Sequence, residues 1–264
     1  MITVIKDKVI MLIGRLLGMW LLLSLLATPQ VVWSGEAYIA VASNFLSPLK
    51  EIAEHFKQDT GNRLVLISGS TGKLYAQAKH GAPFDVLLAA DSKRPVLLER
   101  EGVGVIGTRF TYAVGNLVLW SLKRGEVHGE ESLAHLNEGK LAIANPKTAP
   151  YGRAAQQTLE QLGQWKKLQP NLVRGENITQ TLQFVATENA RLGFVAKSQL
   201  TDPRFKLKGS SWEVPADMHE PILQQAILLK SGLNNSYAKL FLKYMNGPAA
   251  KKVIRNYGYH LIEE

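Results

Sequence analysis

The chain of 264 residues contains no cysteine. This absence excludes disulfide bonds, thiolate catalysis and cysteine-based zinc sites. The six histidines are scattered and do not form the HExxH spacing of a zinc hydrolase. We therefore expect no metal-cation site, no cofactor and no redox centre, and a fold that packing alone stabilises.

The sequence also lacks an apolar run long enough to span a bilayer, which takes about 20 residues. The run over residues 16–27 has 12 residues, follows three basic residues, and precedes small residues at Ser34 and Ala37. This is the layout of a secretory signal peptide, and the short run argues against the alternative of a retained membrane anchor. We predict a signal peptide over residues 1–34, cleavage near Ser34 or Ala37, and a mature protein in the periplasm.

Charged residues of one sign do not form a block, although the net charge of the chain is +9. Removal of residues 1–34 leaves a net charge of about +7. A nucleic-acid surface would need a run of Lys and Arg with interleaved aromatics, and no such run occurs. We expect a mild attraction for anions and no nucleic-acid partner.

What the sequence does contain is an alternation of short β-rich runs and amphipathic stretches, which is typical of parallel strands with crossover helices. A β-α-β-α-β pattern over residues 38–90 recurs over residues 141–196. We predict an α/β fold with two lobes, each a mainly parallel sheet flanked by helices, and a ligand cleft between the lobes.

The predicted boundaries place residues 35–116 and 222–264 in lobe 1 and residues 117–221 in lobe 2. No segment rich in Pro, Gly or Ser separates the halves, so strands rather than a flexible tether should join the lobes. We expect the hinge at the crossing strands near Asn116 and Ala226.

The segment SGSTGKL, residues 68–74, resembles the end of a nucleotide-binding phosphate loop. A true loop reads GxxxxGK followed by a Ser or Thr that binds Mg²⁺, whereas this spacing is shorter and Leu74 takes that position. We therefore reject nucleotide hydrolysis. What remains is a strand-to-helix turn whose N–H groups favour an anion, with Lys73 facing solvent. The alternative is that Ser70 or Thr71 simply caps the helix.

Three further turns have the same character. Ser43 and Asn44 follow the first predicted strand, Tyr151 lies between Pro150 and Gly152 at a helix start, and the GENI motif ends in Ile178. Ligands of α/β proteins bind at the carboxyl ends of parallel strands. Four helix N-termini should therefore converge on one cleft and hold an anion by neutral donors.

A resemblance to a known family is carried by seven segments together: AVASNFLSPLKEIAEHF (40–56), SGSTGKL (68–74), GAPFDVLLAAD (81–91), NLVL (116–119), LAIANPKTAPYGRAA (141–155), GENI (175–178) and LGFVAKSQL (192–200). Over about residues 37–259 the sequence resembles the periplasmic molybdate-binding proteins of ABC importers, which have the two-lobed type II periplasmic binding protein fold.

In that family a tetrahedral dianion is held by two hydroxyls and by backbone N–H groups of the opposite lobe. The resemblance implies that Ser43 and Thr71 donate through both hydroxyl and backbone, and that Tyr151 and Ile178 donate through backbone N–H groups. Asn44 would be an additional amide donor. No residue is expected to be catalytic.

One position departs from the family pattern. Many members place a ligand tyrosine in the strand that reads GFVA here, where Ala196 has no donor. We predict that the Tyr151 phenol replaces this donor, and the alternative is a half-buried aromatic ring beside Pro150. Molybdate, tungstate and sulfate share charge and shape, so the departure leaves the preferred anion open.

The resemblance implies a monomer that binds molybdate or tungstate and delivers it to an ABC permease in the inner membrane, which a cytoplasmic ATPase drives. One alternative is the same fold holding another tetrahedral oxyanion, sulfate or phosphate-like. A hydrolase is weaker because neither a GxSxG nor an SxxK motif is present. The ligand-sensing domain of a regulator is disfavoured by the predicted leader.

Overall fold

The computed structural model describes residues 35–134, 136 and 139–262. The predicted signal peptide lies outside these residues. Within the described part of the chain, no helix combines the length and the apolar character needed to cross a membrane.

Ten strands and ten α-helices make up the described fold. The strands are β1 Glu36–Ala42, β2 Arg63–Gly69, β3 Val86–Ala89, β4 Phe110–Gly115, β5 Leu117–Ser121, β6 Leu141–Ala144, β7 Leu172–Gly175, β8 Leu192–Ala196, β9 Ser210–Glu213 and β10 Ile222–Leu228. The helices are α1 Leu46–Thr60, α2 Thr71–Lys79, α3 Lys93–Arg100, α4 Glu131–Ala134, α5 Pro150–Gln161, α6 Trp165–Leu168, α7 Ile178–Ala186, α8 Lys197–Leu200, α9 Ser236–Met245 and α10 Pro248–Asn256.

The strands form two five-stranded sheets. The first has the order β2-β1-β3-β10-β4 and the second has the order β7-β6-β8-β5-β9. In each sheet two neighbouring pairs are parallel and two are antiparallel. The α/β prediction is confirmed, but the sheets are mixed rather than mainly parallel, because β10 and β5 enter their sheets from the opposite direction.

The first core shows why the sequence pattern predicts the helices well. In α1 the side chains of Leu49, Ile52 and Phe56 recur at helical spacing, and all three are fully buried against the first sheet. Each such burial contributes about 1.5–3 kcal/mol. The helix ends at Gly61, whose φ of 75° is the left-handed conformation that glycine adopts most readily.

The chain passes from the first sheet to the second at Asn116 and returns over residues 214–221. The expected crossing near Ala226 is wrong, because Ala226 lies within β10 and pairs with Leu88 of β3. The polar side chain of Gln225 in this strand is buried and donates to Thr111 Oγ1 at 2.9 Å. The lobe boundaries themselves stay a prediction.

Candidate anion-binding site

Two strand-to-helix turns lie side by side at one edge of the first sheet. Strands β1 and β2 pair in parallel with Ala42 opposite Gly69, so the residues that follow each strand are neighbours. After β1, Ser43 opens a single 3₁₀ turn that leads into α1, and after β2, Ser70 precedes α2. The register of one strand pair therefore brings together two hydroxyl-bearing turns 27 residues apart in sequence.

A small cavity lies at these turns and also contacts the starts of α5 and α7 from the second sheet. Its lining consists of Ala42, Ser43, Asn44, Gly69, Ser70, Thr71, Ala149, Pro150, Tyr151 and Ile178. All five residues predicted to bind an anion are among them, and every lining residue is neutral. The space open to the centre of a water molecule is about 10 Å³, roughly that of one water.

The hydroxyl of Thr71 is oriented by the sheet. Thr71 is fully buried, and its Oγ1 accepts a hydrogen bond from the backbone N–H of Ala90 at 3.1 Å. A hydroxyl that accepts one bond keeps its own proton for a second partner. This arrangement leaves Thr71 able to donate toward the cavity.

The second sheet contributes backbone donors. Helix α5 begins with Pro150, which has no N–H, so Tyr151 carries the first donor of that helix. Helix α7 begins at Ile178, and its cap Asn177 accepts from Thr179 and Gln180 at 3.0 and 3.1 Å, which leaves the N–H of Ile178 outside the cap. First-turn N–H groups have no partner within their own helix and carry the positive end of the helix dipole.

Gly152 brings α5 close to strand β6. A Cβ atom at this position would overlap the carbonyl oxygen of Ala144, the last residue of β6. Only glycine permits this approach. The Gly152 of the NPKTAPYG segment thus places the N–H of Tyr151 at the cavity.

The structure corrects the role expected for the Asn44 side chain. Its Nδ2 donates to Gln224 Oε1 at 2.8 Å and to Tyr259 Oη at 2.9 Å, which uses both amide hydrogens. The carbonyl of Asn44 accepts from Ser198 Oγ at 3.0 Å, a bond that joins the two halves of the molecule. Asn44 can therefore donate to an anion through its backbone but not through its amide.

The Tyr151 phenol lies in this same buried polar cluster. A Cβ on Gly115 would overlap the phenol oxygen, which places that oxygen at the end of β4 and close to Gln224. Burial, together with the nearby phenol of Tyr259, raises the pKa of Tyr151 well above its ordinary value. Among the described residues the phenol oxygen has no hydrogen-bond partner, and the expectation that it replaces the donor missing at Ala196 stays a prediction.

Sequence reasoning missed Gln199, whose side chain holds the first residue of α7 in place. Its Oε1 accepts from the N–H of Ala196 at 3.0 Å, and its Nε2 donates to the carbonyl of Ile178 at 3.1 Å. The side chain thus ties the end of β8 to the first residue of α7. No motif signalled this role, since it depends on two segments meeting in space.

Contacts across the mouth of the cleft also join the two sheets. Arg94 Nη2 donates to the carbonyl of Lys147 at 3.0 Å, while the guanidinium also pairs with Asp91. Lys73 is half-exposed, as predicted, but it is not free, because its ammonium pairs with Glu176. The lysine of the SGSTGKL segment therefore lies at the rim of the cleft.

Comparison with known proteins gives the site a context. The family model described as bacterial extracellular solute-binding protein matches residues 37–260. The molybdate-binding protein ModA of Azotobacter vinelandii is 49% identical over 229 residues, which cover 86% of this chain and 91% of that protein. ModA of Rhodobacter capsulatus is 45% identical over 226 residues, with 86% and 88% covered.

A solved structure agrees with these sequence relatives. The periplasmic molybdate-binding protein of Azotobacter vinelandii superposes with a TM-score of 0.83 and 41% identity, covering 86% of this chain and all of that one. The two-lobed type II fold and the resemblance inferred from the seven sequence segments are confirmed.

Proposed function

The chain belongs to the bacterial extracellular solute-binding protein family, and on that premise we propose that it captures molybdate or tungstate in the periplasm for an ABC importer. The observation that carries this proposal is the small cavity where two hydroxyl turns of one sheet face two helix N-termini of the other. Relatives that are 49% and 45% identical are named molybdate-binding proteins, which supports the same ligand here.

Neutral donors suit a tetrahedral dianion. The hydroxyls and backbone groups of Ser43 and Thr71, with the N–H groups of Asn44, Tyr151 and Ile178, offer up to seven hydrogen bonds. Each hydrogen bond to a charged partner contributes about 1.5–3 kcal/mol net. The sum over these bonds exceeds the free-energy cost of ordering and closing the protein around the anion, so binding can be tight. We propose a binding protein rather than an enzyme, which relatives named as molybdate-binding proteins support.

The chemistry of these donors also disfavours phosphate. Backbone N–H groups can only donate, so they suit an oxyanion that brings no proton of its own. Molybdate, tungstate and sulfate are fully deprotonated at neutral pH, whereas phosphate keeps a proton that needs an acceptor. Among the deprotonated anions, cavity size has to discriminate, since a ring of neutral donors does not distinguish equal charges.

Delivery requires a partner in the membrane. We propose that the protein is a monomer that closes on the anion and presents it to an ABC permease, with a cytoplasmic ATPase supplying the energy. Closure would use the two passages between the sheets, at Asn116 and residues 214–221. Recovery of the exported protein from the periplasm, with N-terminal sequencing near Ser34, tests the predicted leader.

Calorimetric titration of the mature protein, residues 35–264, tests the ligand. We expect heat with molybdate and tungstate, weak or no heat with sulfate, and none with phosphate. Tight binding of sulfate alone would favour the alternative oxyanion function. Absence of heat with all four anions would refute the proposal.

A further inference from the structure

Ser70 occupies the position at which a helix is normally capped, but it does not cap. It precedes Thr71, the first residue of α2, and has the extended backbone, φ −72° and ψ 144°, of an N-cap residue. A serine in this place usually accepts a hydrogen bond from an N–H in the first turn. The Ser70 side chain makes no such bond with the helix that it precedes.

The same hydroxyl is buried without a partner. Ser70 is 3% exposed, and among the described residues its Oγ has no hydrogen-bond partner. A buried polar group left unpaired is unfavourable, and native structures rarely keep one without a reason. Ser70 also lines the cavity together with Ser43 and Thr71. An unpaired hydroxyl therefore belongs to a residue of the cavity lining.

We infer that the Ser70 hydroxyl is a third side-chain donor to the bound oxyanion, beside those of Ser43 and Thr71. The inference rests on the proposed function and deepens it, because it adds a ligand residue for which the sequence suggested only capping of the helix. The serine compensates for the donor missing at Ala196. Ser70 belongs to the first sheet; the Tyr151 phenol of the second, also without a hydrogen-bond partner among the described residues, is the competing candidate.

This role and a purely structural role predict opposite results for Ser70→Ala. If the hydroxyl binds the anion, its removal weakens molybdate binding about tenfold or more, since the bond is to a charged group. The melting temperature without anion stays the same or rises, because the variant buries one unpaired polar atom fewer. If the hydroxyl stabilised the helix, the unliganded protein would melt earlier and the affinity would be unchanged.

Ser132→Ala is the matched control. Ser132 is also a buried serine, but its Oγ accepts from the N–H of His128 at 3.0 Å and lies outside the cavity lining. We expect this variant to lower the melting temperature and to keep the affinity. Both variants are titrated with molybdate, and their melting is followed by circular dichroism with and without the anion.

An affinity of Ser70→Ala within about twofold of the wild type would overturn the inference. Ser70→Gly gives a second test should the alanine variant fold poorly, because glycine is tolerated at an N-cap and also removes the hydroxyl. A wild-type protein that binds none of the anions would instead refute the proposed function. The two failures are therefore distinct.

Discussion

The backbone N–H of Gly72 donates a 2.8 Å hydrogen bond to the carbonyl oxygen of Thr148. Gly72 lies in the first turn of α2 on the first sheet, and Thr148 lies in the loop before α5 on the second. A Cβ atom on Gly72 would lie 2.9 Å from that oxygen and 3.0 Å from the Thr148 Cα. The two halves of the molecule therefore touch through backbone atoms at the edge of the cavity.

We expect Gly72→Ala to weaken molybdate binding by hindering this contact. The added methyl group meets backbone, which cannot rotate away, so the halves must stay further apart. Alanine favours a helix by up to about 1 kcal/mol over glycine, so the melting temperature without anion should not fall. Calorimetry, with small-angle scattering before and after molybdate addition, measures both effects.

Lys73→Ala is the control for this variant. Its ammonium pairs with Glu176 across the same cleft, but both side chains are more than half exposed. Such exposed pairs contribute about 0–1 kcal/mol, so the affinity should change by less than about fivefold. A loss as large as that of Gly72→Ala would mean that rim charge, and not backbone contact, governs closure.

Thr71→Val tests the hydroxyl that the sequence assigned to the site. Valine keeps the shape of threonine, but it removes a donor to the anion and the acceptor of the Ala90 N–H. We expect molybdate affinity to fall about tenfold or more and the melting temperature to fall as well. Thr71→Ser keeps the hydroxyl and should restore most of the affinity. Equal molybdate affinities for the valine and serine variants would show that the Thr71 hydroxyl does not bind the anion.

Tyr151→Phe separates the backbone of Tyr151 from its phenol. If the phenol binds the anion, as the sequence predicts, removal of its oxygen weakens binding about tenfold, or ~1.4 kcal/mol. The structure places that oxygen near Gly115 and Gln224, so we now expect a change below about twofold. Isothermal titration of this variant with molybdate decides between the two expectations. A tenfold loss of affinity would show that the phenol binds the anion.

Alkaline unfolding should report the buried phenol of Tyr259. Burial raises the pKa of Tyr259 to about 12 in the folded protein, against about 10 in an unfolded chain. Below pH 10 the phenol is neutral in both states, so its ionisation does not make stability depend on pH. Between pH 10 and 12 only the unfolded state loses the proton, so stability falls with rising pH by up to about 1.4 kcal/mol per unit.

Tyr259→Phe should make this pH dependence shallower, measured as the free energy of unfolding in urea from pH 8 to 11.5. It should also lower stability at pH 8, since Tyr259 Oη bonds with Asn44 and Ser198 at 2.9 and 3.0 Å. The exposed Tyr38, replaced by Phe, serves as the control and should alter neither quantity. An unchanged slope in Tyr259→Phe would show that its folded-state pKa is ordinary.

The sequence predicted the elements of the fold closely because their signals are local. Leu49, Ile52 and Phe56 recur at helical spacing and end at Gly61, so the helix and its buried face follow from neighbours in the chain. The strand-to-helix turns at Ser43 and Thr71 were recognisable for the same reason. The crossing expected near Ala226 was misplaced, because Ala226 pairs with Leu88 of β3, more than a hundred residues away in the sequence.

The sequence by itself determined that four turns with neutral donors stand at strand ends, since residue type and order suffice for that. Only the tertiary structure decided which atoms face the cavity. It directs the amide of Asn44 to Gln224 and Tyr259 and places the phenol of Tyr151 beside Gly115. Among the described residues it leaves both that phenol and the hydroxyl of Ser70 without a hydrogen-bond partner. Side-chain direction depends on partners from distant segments, and a single sequence does not show where those partners lie.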